Sequence, residues 1–195
     1  MIKFAVLVVS MSLVAGTAAA QSRVYAGGTV AIDSGSRGAY DTLGTSFPAA
    51  GGFIGFRFAD AWSMEVHADR AFAESPERET VISIFERYAV RDRAGNGLAV
   101  LAVWKTRRQS RVGAAVTMGI EMRGFRTERV SDNKIDPHDG YPVDAGGGPA
   151  GGVLVPIVLG MGWSIAPEVR VNVGASGEHG GYATFYSGVR AMWGF

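Results

Sequence analysis

The chain has 195 residues and a mass of 20.5 kDa, with 47% hydrophobic and 19% charged side chains, which excludes a disordered polar chain and fits one domain. It carries 28 glycines, about twice the usual share of roughly 7%, without a collagen period, and no cysteine, so disulfides and thiolate metal sites are excluded. The formal net charge of +1 gives no electrostatic footprint for nucleic acid.

Residues 1–20 open with Lys3, continue through an apolar stretch from Phe4 and end in Ala18-Ala19-Ala20. The apolar stretch is short for a membrane helix and the small residues suit signal peptidase, so this segment is expected to be a cleaved secretory signal. The remaining 21–195 form the mature domain, in which 18 basic side chains meet 18 acidic ones once Lys3 is removed.

Beyond residue 20, eight segments place apolar residues at every second position: 23–33, 51–59, 62–72, 97–106, 111–125, 152–163, 167–175 and 182–195. Most have the 9 to 11 residues, or slightly more, that a tilted strand needs to cross a bilayer. Short turns are expected around 59–62, 105–110 and 163–167. Long polar loops are expected at 34–50, 73–96 and 126–151, with a brief one at 176–181. Short turns alternating with long loops are the arrangement of outer-membrane barrels, with the turns in the periplasm. The β-like segment 81–90 reads as an extension of the strands flanking the second loop. The 22 uncharged residues from Ala145 to Ala166 do not read as a helix, because seven glycines, Pro149 and Pro156 oppose it. Pro156 removes a ladder hydrogen bond and predicts a bulge.

One parity of each strand is apolar, as in Val30, Ile54, Val66, Val100, Ile120, Val153, Val171 and Val189, with Arg70 its sole charge. The other carries Tyr25, Thr29, Arg57, Glu65, His67, Asp69, Thr117, Glu121, Arg170, Asn172, Thr184, Tyr186 and Arg190 among glycines. The apolar parity is expected to face lipid and the polar one a lumen. Leu101, Val103, Leu154 and Val158 fit badly, being apolar on the inner parity. All four tryptophans, Trp62, Trp104, Trp163 and Trp193, fall on the outward parity beside a periplasmic strand end. With Phe58 and Phe195 they make one aromatic girdle.

This pattern resembles the small outer-membrane β-barrel family, the group that includes the OmpA transmembrane domain, OmpX and OmpW-like proteins. The resemblance covers residues 21–195 and rests on the leader, the eight alternating strands and a last strand, Tyr182 to Phe195, ending in phenylalanine. It implies an all-β, eight-stranded antiparallel transmembrane up-and-down barrel in a Gram-negative-type outer membrane. It also implies that Val189, Ala191, Trp193 and Phe195 form the signal read by the barrel-assembly machinery. Because the chain stops at Phe195, no peptidoglycan-binding domain is implied.

An eight-stranded barrel is just wide enough for side chains to fill it, so charged lumen residues are forced to pair. Arg57, Glu65, Asp69, Glu121, Arg170 and Arg190 are the expected ionic network, with Glu65 and Arg190 at similar depth and Arg170 nearby. His67 and Asp69 lie two apart on one strand face, but no third ligand makes a metal site, and no cofactor is implied. Asp132 to Gly140 supplies oxygen ligands without EF-hand spacing. Ser176, Glu178 and His179 are hydrolase residue types without a nucleophile elbow, so no catalytic residue is assigned.

The reading is therefore a monomeric, non-enzymatic outer-membrane protein with a structural or surface-interaction role. Its partners are outer-membrane lipid and lipopolysaccharide, the assembly machinery, and an extracellular protein reached through the long loops. A narrow channel for ions or small solutes is the alternative, followed by a lipid-modifying enzyme and a soluble lipocalin-type barrel. The girdle makes a direct prediction. In liposomes containing brominated lipids, tryptophan emission is quenched most by bromines near the headgroup and least by those at the acyl-chain ends, with a single depth for all four residues.

Overall fold

The computed structural model describes residues 23–36, 46–76, 78–83, 86–106, 111–131, 134–135, 144–176 and 180–194. The leader and Phe195 lie outside them, as do Asp132, Asp136 to Gly140, and Glu178 and His179. All regular structure among the described residues is β. The strands are β1 (Val24–Ser36), β2 (Ser46–Arg57), β3 (Trp62–Ala71), β4 (Arg78–Ser83), β5 (Glu86–Lys105), β6 (Ala115–Ser131), β7 (Lys134–Ile135), β8 (Asp144–Leu154), β9 (Ile157–Gly160), β10 (Trp163–Ser176) and β11 (Gly180–Trp193).

Antiparallel pairing runs β1, β2, β3, β5, β6, β8, β10 and β11, and β11 returns to β1 from Ala26↔Trp193 to Ser36↔Ala183. The sheet is thus a closed eight-stranded barrel, which removes the free edges that hydrocarbon would leave unsatisfied. Among the described residues β4 continues the course of β3 and pairs with β5, and β9 continues β8 along β10. The described parts of the segment, 81–83 and 86–90, therefore extend the wall, and among the described residues they add no ninth crossing.

Several boundaries differ from the sequence expectation. The pattern puts the second loop at 73–96, yet β5 begins at Glu86, and it puts the third at 126–151, yet β6 runs to Ser131 and β8 starts at Asp144. Polar and glycine-rich composition hides these strands, because β-propensity reflects packing on a half-buried surface and these portions carry few of the β-branched and aromatic residues that mark one. The turn expected at 163–167 lies instead at Gly160-Met161-Gly162, where all three residues have positive φ (116°, 52° and 80°). Pro167 sits inside β10, paired with Val189. Pro156 does interrupt its strand: β8 ends at Leu154, β9 starts at Ile157, and the β9–β10 register shifts near Trp163. Val155 N–H donates to the Pro167 carbonyl at 3.0 Å, and Pro167 has no N–H to return. The Pro156 carbonyl is still used, accepting from Gly113 N–H at 2.9 Å.

The parity holds along the wall. Val30, Ile54, Val66, Ile120, Val153 and Val173 are each at least half exposed, whereas Tyr25, Glu65, Arg170 and Arg190 are buried. Trp62 pairs directly with Trp104 and Trp163 with Trp193, all on the outer face at the turn end. The inward apolar misfits have a place. Leu101, Val103 and Leu154 are fully buried, and Val103 and Leu154 join Tyr25, Phe53, Ala115, Ala166 and Met192 in an apolar floor at the short-turn end. Phe47, Ala71, Ala73, Ala94 and Tyr182 form a second apolar layer at the opposite end.

Closing eight strands requires tight curvature, and inward glycines allow it. A Cβ on Gly119 would overlap the Val100 carbonyl oxygen of the neighbouring strand. Refolding Gly119→Val in detergent is expected to abolish the heat-modifiable gel shift that marks a closed barrel. Met118→Val, one residue away on the lipid face, is expected to retain it.

Candidate functional site: the ionic lumen

Between the two apolar layers the lumen is filled by charge. Its lower half centres on Glu65, brought inward by β3 and lying in the register row of Leu101 and Gly55. Glu65 Oε2 accepts from Arg190 Nη1 at 2.6 Å and from His67 Nε2 at 2.7 Å, and Oε1 accepts from the Tyr25 hydroxyl at 2.7 Å. The Tyr25 hydroxyl also lies 2.8 Å from Ser63 Oγ. Arg190 is shared: its Nε donates to Glu168 Oε2 at 2.6 Å, and its Nη2 to Glu168 Oε1. Phe53 stabilises this layer from the side, stacking on the His67 ring at 4.9 Å between centroids while the Arg190 guanidinium lies 5.1 Å from its own ring centre.

Arg170 joins the two halves. Its Nε is 3.0 Å from Glu121 Oε2 and its Nη1 3.6 Å from Glu168 Oε1, with the guanidinium 4.4 Å above the Tyr186 ring. Tyr186 is held by Thr29, hydroxyl to hydroxyl at 2.5 Å. In the outer half, three carboxylates converge on Arg123: Asp33 Oδ2 at 3.0 Å, Asp69 Oδ1 at 3.1 Å and Glu121 Oε1 at 3.4 Å. The result is one continuous chain of ionic contacts from His67 near the floor to Asp33 and Asp69 near the outer layer.

Of the six residues expected in the network, Glu65, Asp69, Glu121, Arg170 and Arg190 occupy this chain, and Glu65 and Arg190 touch directly. Arg57 does not: it lies half-buried at the short-turn rim, where Nη2 donates to the Gly194 carbonyl at 3.4 Å. It is the last residue of β2, so its side chain leaves at the mouth of the barrel, below the floor that separates it from the carboxylates. His67 and Asp69 do not share a proton or a ligand, since His67 turns to Glu65 and Asp69 to Arg123. Among the described residues no three acidic or histidine side chains are grouped to hold a metal.

Asp33, Arg123 and Glu168 escape the sequence pattern. Each sits on the inward parity, and two of them stand two residues from members it does reveal: Arg123 from Glu121, Glu168 from Arg170. Asp33 and Glu168 fall at expected strand ends, where a charge reads as the start of a loop, and Arg123 falls just short of one. Extending the parity by two residues finds Arg123 and Glu168, and by four from Thr29 finds Asp33.

With the lumen geometry in view, comparison with known proteins is informative at the level of fold. No protein-family model matches the chain, and no curated protein matches it in sequence. Solved structures do. Neisserial surface protein A aligns over 89% of this chain and 98% of its own at 14% identity, TM-score 0.55. The outer-membrane protein OprG from Pseudomonas aeruginosa aligns over 87% and 95% at 13% identity, TM-score 0.50. The fold is that of a small outer-membrane β-barrel. At these identities the likeness speaks for architecture and leaves the lumen chemistry to this chain's own residues.

Breaking a buried pair by removing one partner costs about 3–5 kcal/mol, because the other charge stays behind unpaired. Glu65→Gln is therefore expected to lower Tm in detergent micelles by about 10 °C. Arg190→Met should cost more, since it takes the guanidinium from two carboxylates and leaves Glu65 with His67 and Glu168 with the longer Arg170 contact. Val66→Leu, the outward neighbour of Glu65, serves as the near-neutral reference, and thermal circular dichroism ranks the three.

Proposed function

We propose that the protein is an integral outer-membrane barrel of a Gram-negative-type envelope, exported through residues 1–20. Its role is structural or surface-interacting and not catalytic, and its lumen is closed. The observation that carries the reading is the layering of the interior: an apolar floor around Val103 and Leu154, an ion-paired middle, and an apolar outer layer around Phe47 and Tyr182. A solute path through the barrel would have to break the Arg190 contacts with both Glu65 and Glu168 and force open both apolar layers.

Function is then carried by what projects outward. β5 has 20 residues and β6 has 17, against 10 for β3. Twenty residues at about 3.3 Å each, tilted by about 40°, rise roughly 50 Å, about twice the apolar band of about 25 Å. The β4–β5–β6 wall therefore stands well clear of the membrane and offers a backbone platform to lipopolysaccharide or an extracellular protein. The girdle of Phe58, Trp62, Trp104, Trp163, Trp193 and Phe195 anchors the opposite end. Val189, Ala191, Trp193 and Phe195 serve the assembly machinery, and the barrel acts as a monomer.

Two measurements test this. Folded protein in a planar bilayer is expected to give no discrete conductance steps; reproducible steps would replace the closed scaffold with a narrow channel. Replacing 76–92 by a short turn is expected to leave the heat-modifiable barrel intact and to abolish binding of the purified protein to intact cells, whereas unchanged binding would remove the platform.

A further inference from the structure

Arg70 is out of place on the wall. It is exposed on the outward parity of β3, between Ala68 and Phe72, and makes no hydrogen bond or ion pair among the described residues. An outward arginine is destabilising at the midplane of a bilayer and nearly neutral at its edges, so its depth decides what it can do. Trp62, in the girdle, opens the same strand eight residues earlier. At about 3.3 Å per residue and a tilt of about 40°, Arg70 stands roughly 20 Å above it, just inside the far edge of an apolar band of about 25 Å.

A second cationic row lies just beyond that edge. β5 carries one residue more than β6 between Ala94 and Gly97, so its parity inverts there: Ala94 is buried whereas Leu98 is exposed. Arg91 and Arg93 are thereby turned to the outward side, where they meet the exposed Glu74. Arg93 Nη2 lies 2.9 Å from Glu74 Oε1, and Arg91 Nη1 lies 3.4 Å from Oε2. Glu74 is in register with Arg93, roughly 30 Å above the girdle by the same arithmetic. Three guanidiniums therefore stand beside one carboxylate among the described side chains, and Arg70 takes no part in that pairing.

Two neighbours complete the patch. Asn96, exposed, is in register with Arg70, and Phe72, more than half exposed, projects between the two rows. An apolar ring between cationic rows matches an amphipathic molecule; a free anion would leave Phe72 unused. The rows bracket the headgroup plane, and the long Arg70 side chain can reach up to it.

We propose that Arg70, Asn96 and Arg93 bind the phosphorylated headgroup of an outer-leaflet glycolipid, with Phe72 at the junction of its sugar and acyl chains. Two rows about 10 Å apart in height match a headgroup bearing more than one phosphate and exceed the span of a single phosphodiester. The proposal rests on the outer-membrane reading above, which puts the long-strand end in the outer leaflet, and it gives that reading's lipopolysaccharide contact its residues.

The test titrates lipid A, phosphatidylglycerol and inorganic phosphate onto the full barrel refolded in dodecyl maltoside at constant ionic strength, with bound lipid counted by native mass spectrometry. Lipid A is expected to bind most tightly and to resist displacement by inorganic phosphate. Arg70→Gln is expected to weaken lipid A about tenfold, the effect of losing one charge-assisted hydrogen bond. Arg57→Gln, a cation on the opposite rim, is expected to leave the affinity unchanged. Equal affinity in wild type and Arg70→Gln, equal binding of phosphatidylglycerol, or displacement by inorganic phosphate would each overturn the proposal. Should Arg70→Gln lack the heat-modifiable shift, Arg93→Gln, whose partly exposed pair with Glu74 adds little to stability, is judged by the same criteria. Orientation is read separately. The chain has no cysteine, so a single Asp60→Cys in an exposed short turn can be labelled with an impermeant maleimide. Labelling only after the cells are permeabilised upholds the outer leaflet, whereas labelling of intact cells overturns the reading beneath the proposal even where lipid A binds.

Discussion

Hydrocarbon cannot hydrogen-bond, and that constraint organises the rest of this molecule. Every backbone N–H and C=O in the membrane must be satisfied within the protein, which a closed sheet achieves and an open one does not. With eight strands, closure sets a narrow interior, and the interior then dictates its own contents. Side chains that point inward must be small, apolar and packed, or charged and paired. All three solutions are present: glycines where the wall curves, as at Gly119, an apolar floor that includes Tyr25 and Phe53, and the ionic chain from His67 to Asp33.

The same constraint explains what can be read from sequence. Because lipid and lumen demand opposite chemistries, alternation survives wherever a strand lies in the membrane. Parity there places Val66 outside and Glu65 and His67 inside before any coordinates are known. The tryptophans are legible for the same reason, as amphipathic rings have one favourable depth. Pairing between strands is less legible, yet Glu65 and Arg190 can be matched by depth, since each stands three residues from a tryptophan of the girdle.

Legibility fails where that demand lapses. Toward the long-strand end the sequence stops alternating between apolar and polar, so the outer stretches of β5 and β6 look like loops. β8 fails differently: Ala145 to Gly152 is nearly all glycine and alanine, too small to display a pattern on either face. Asp33 and Glu168 are lost because a charge at the end of a strand has two meanings, a loop beginning or a lumen residue at the edge of a layer. Arg57 shows the converse error, an inward parity at a strand end that opens onto the rim and not the interior. Parity gives direction; only register and height decide whether that direction leads into the network.

The distribution of charge inside the barrel is asymmetric along its axis, and this bears on stability. The inner half has short, well-aligned hydrogen bonds, with Glu65 taking three donors and Arg190 serving two carboxylates. The outer half has longer contacts converging on one guanidinium, with carboxylate oxygens left without hydrogen bonds. Local opening begins where satisfied contacts are fewest. The inner layer is therefore the firm region of the interior and the outer layer the adaptable one, facing the extended wall and the loops. A barrel built in this way is closed from below by its best interactions. Its unsatisfied chemistry sits at the other end, beneath the long strands.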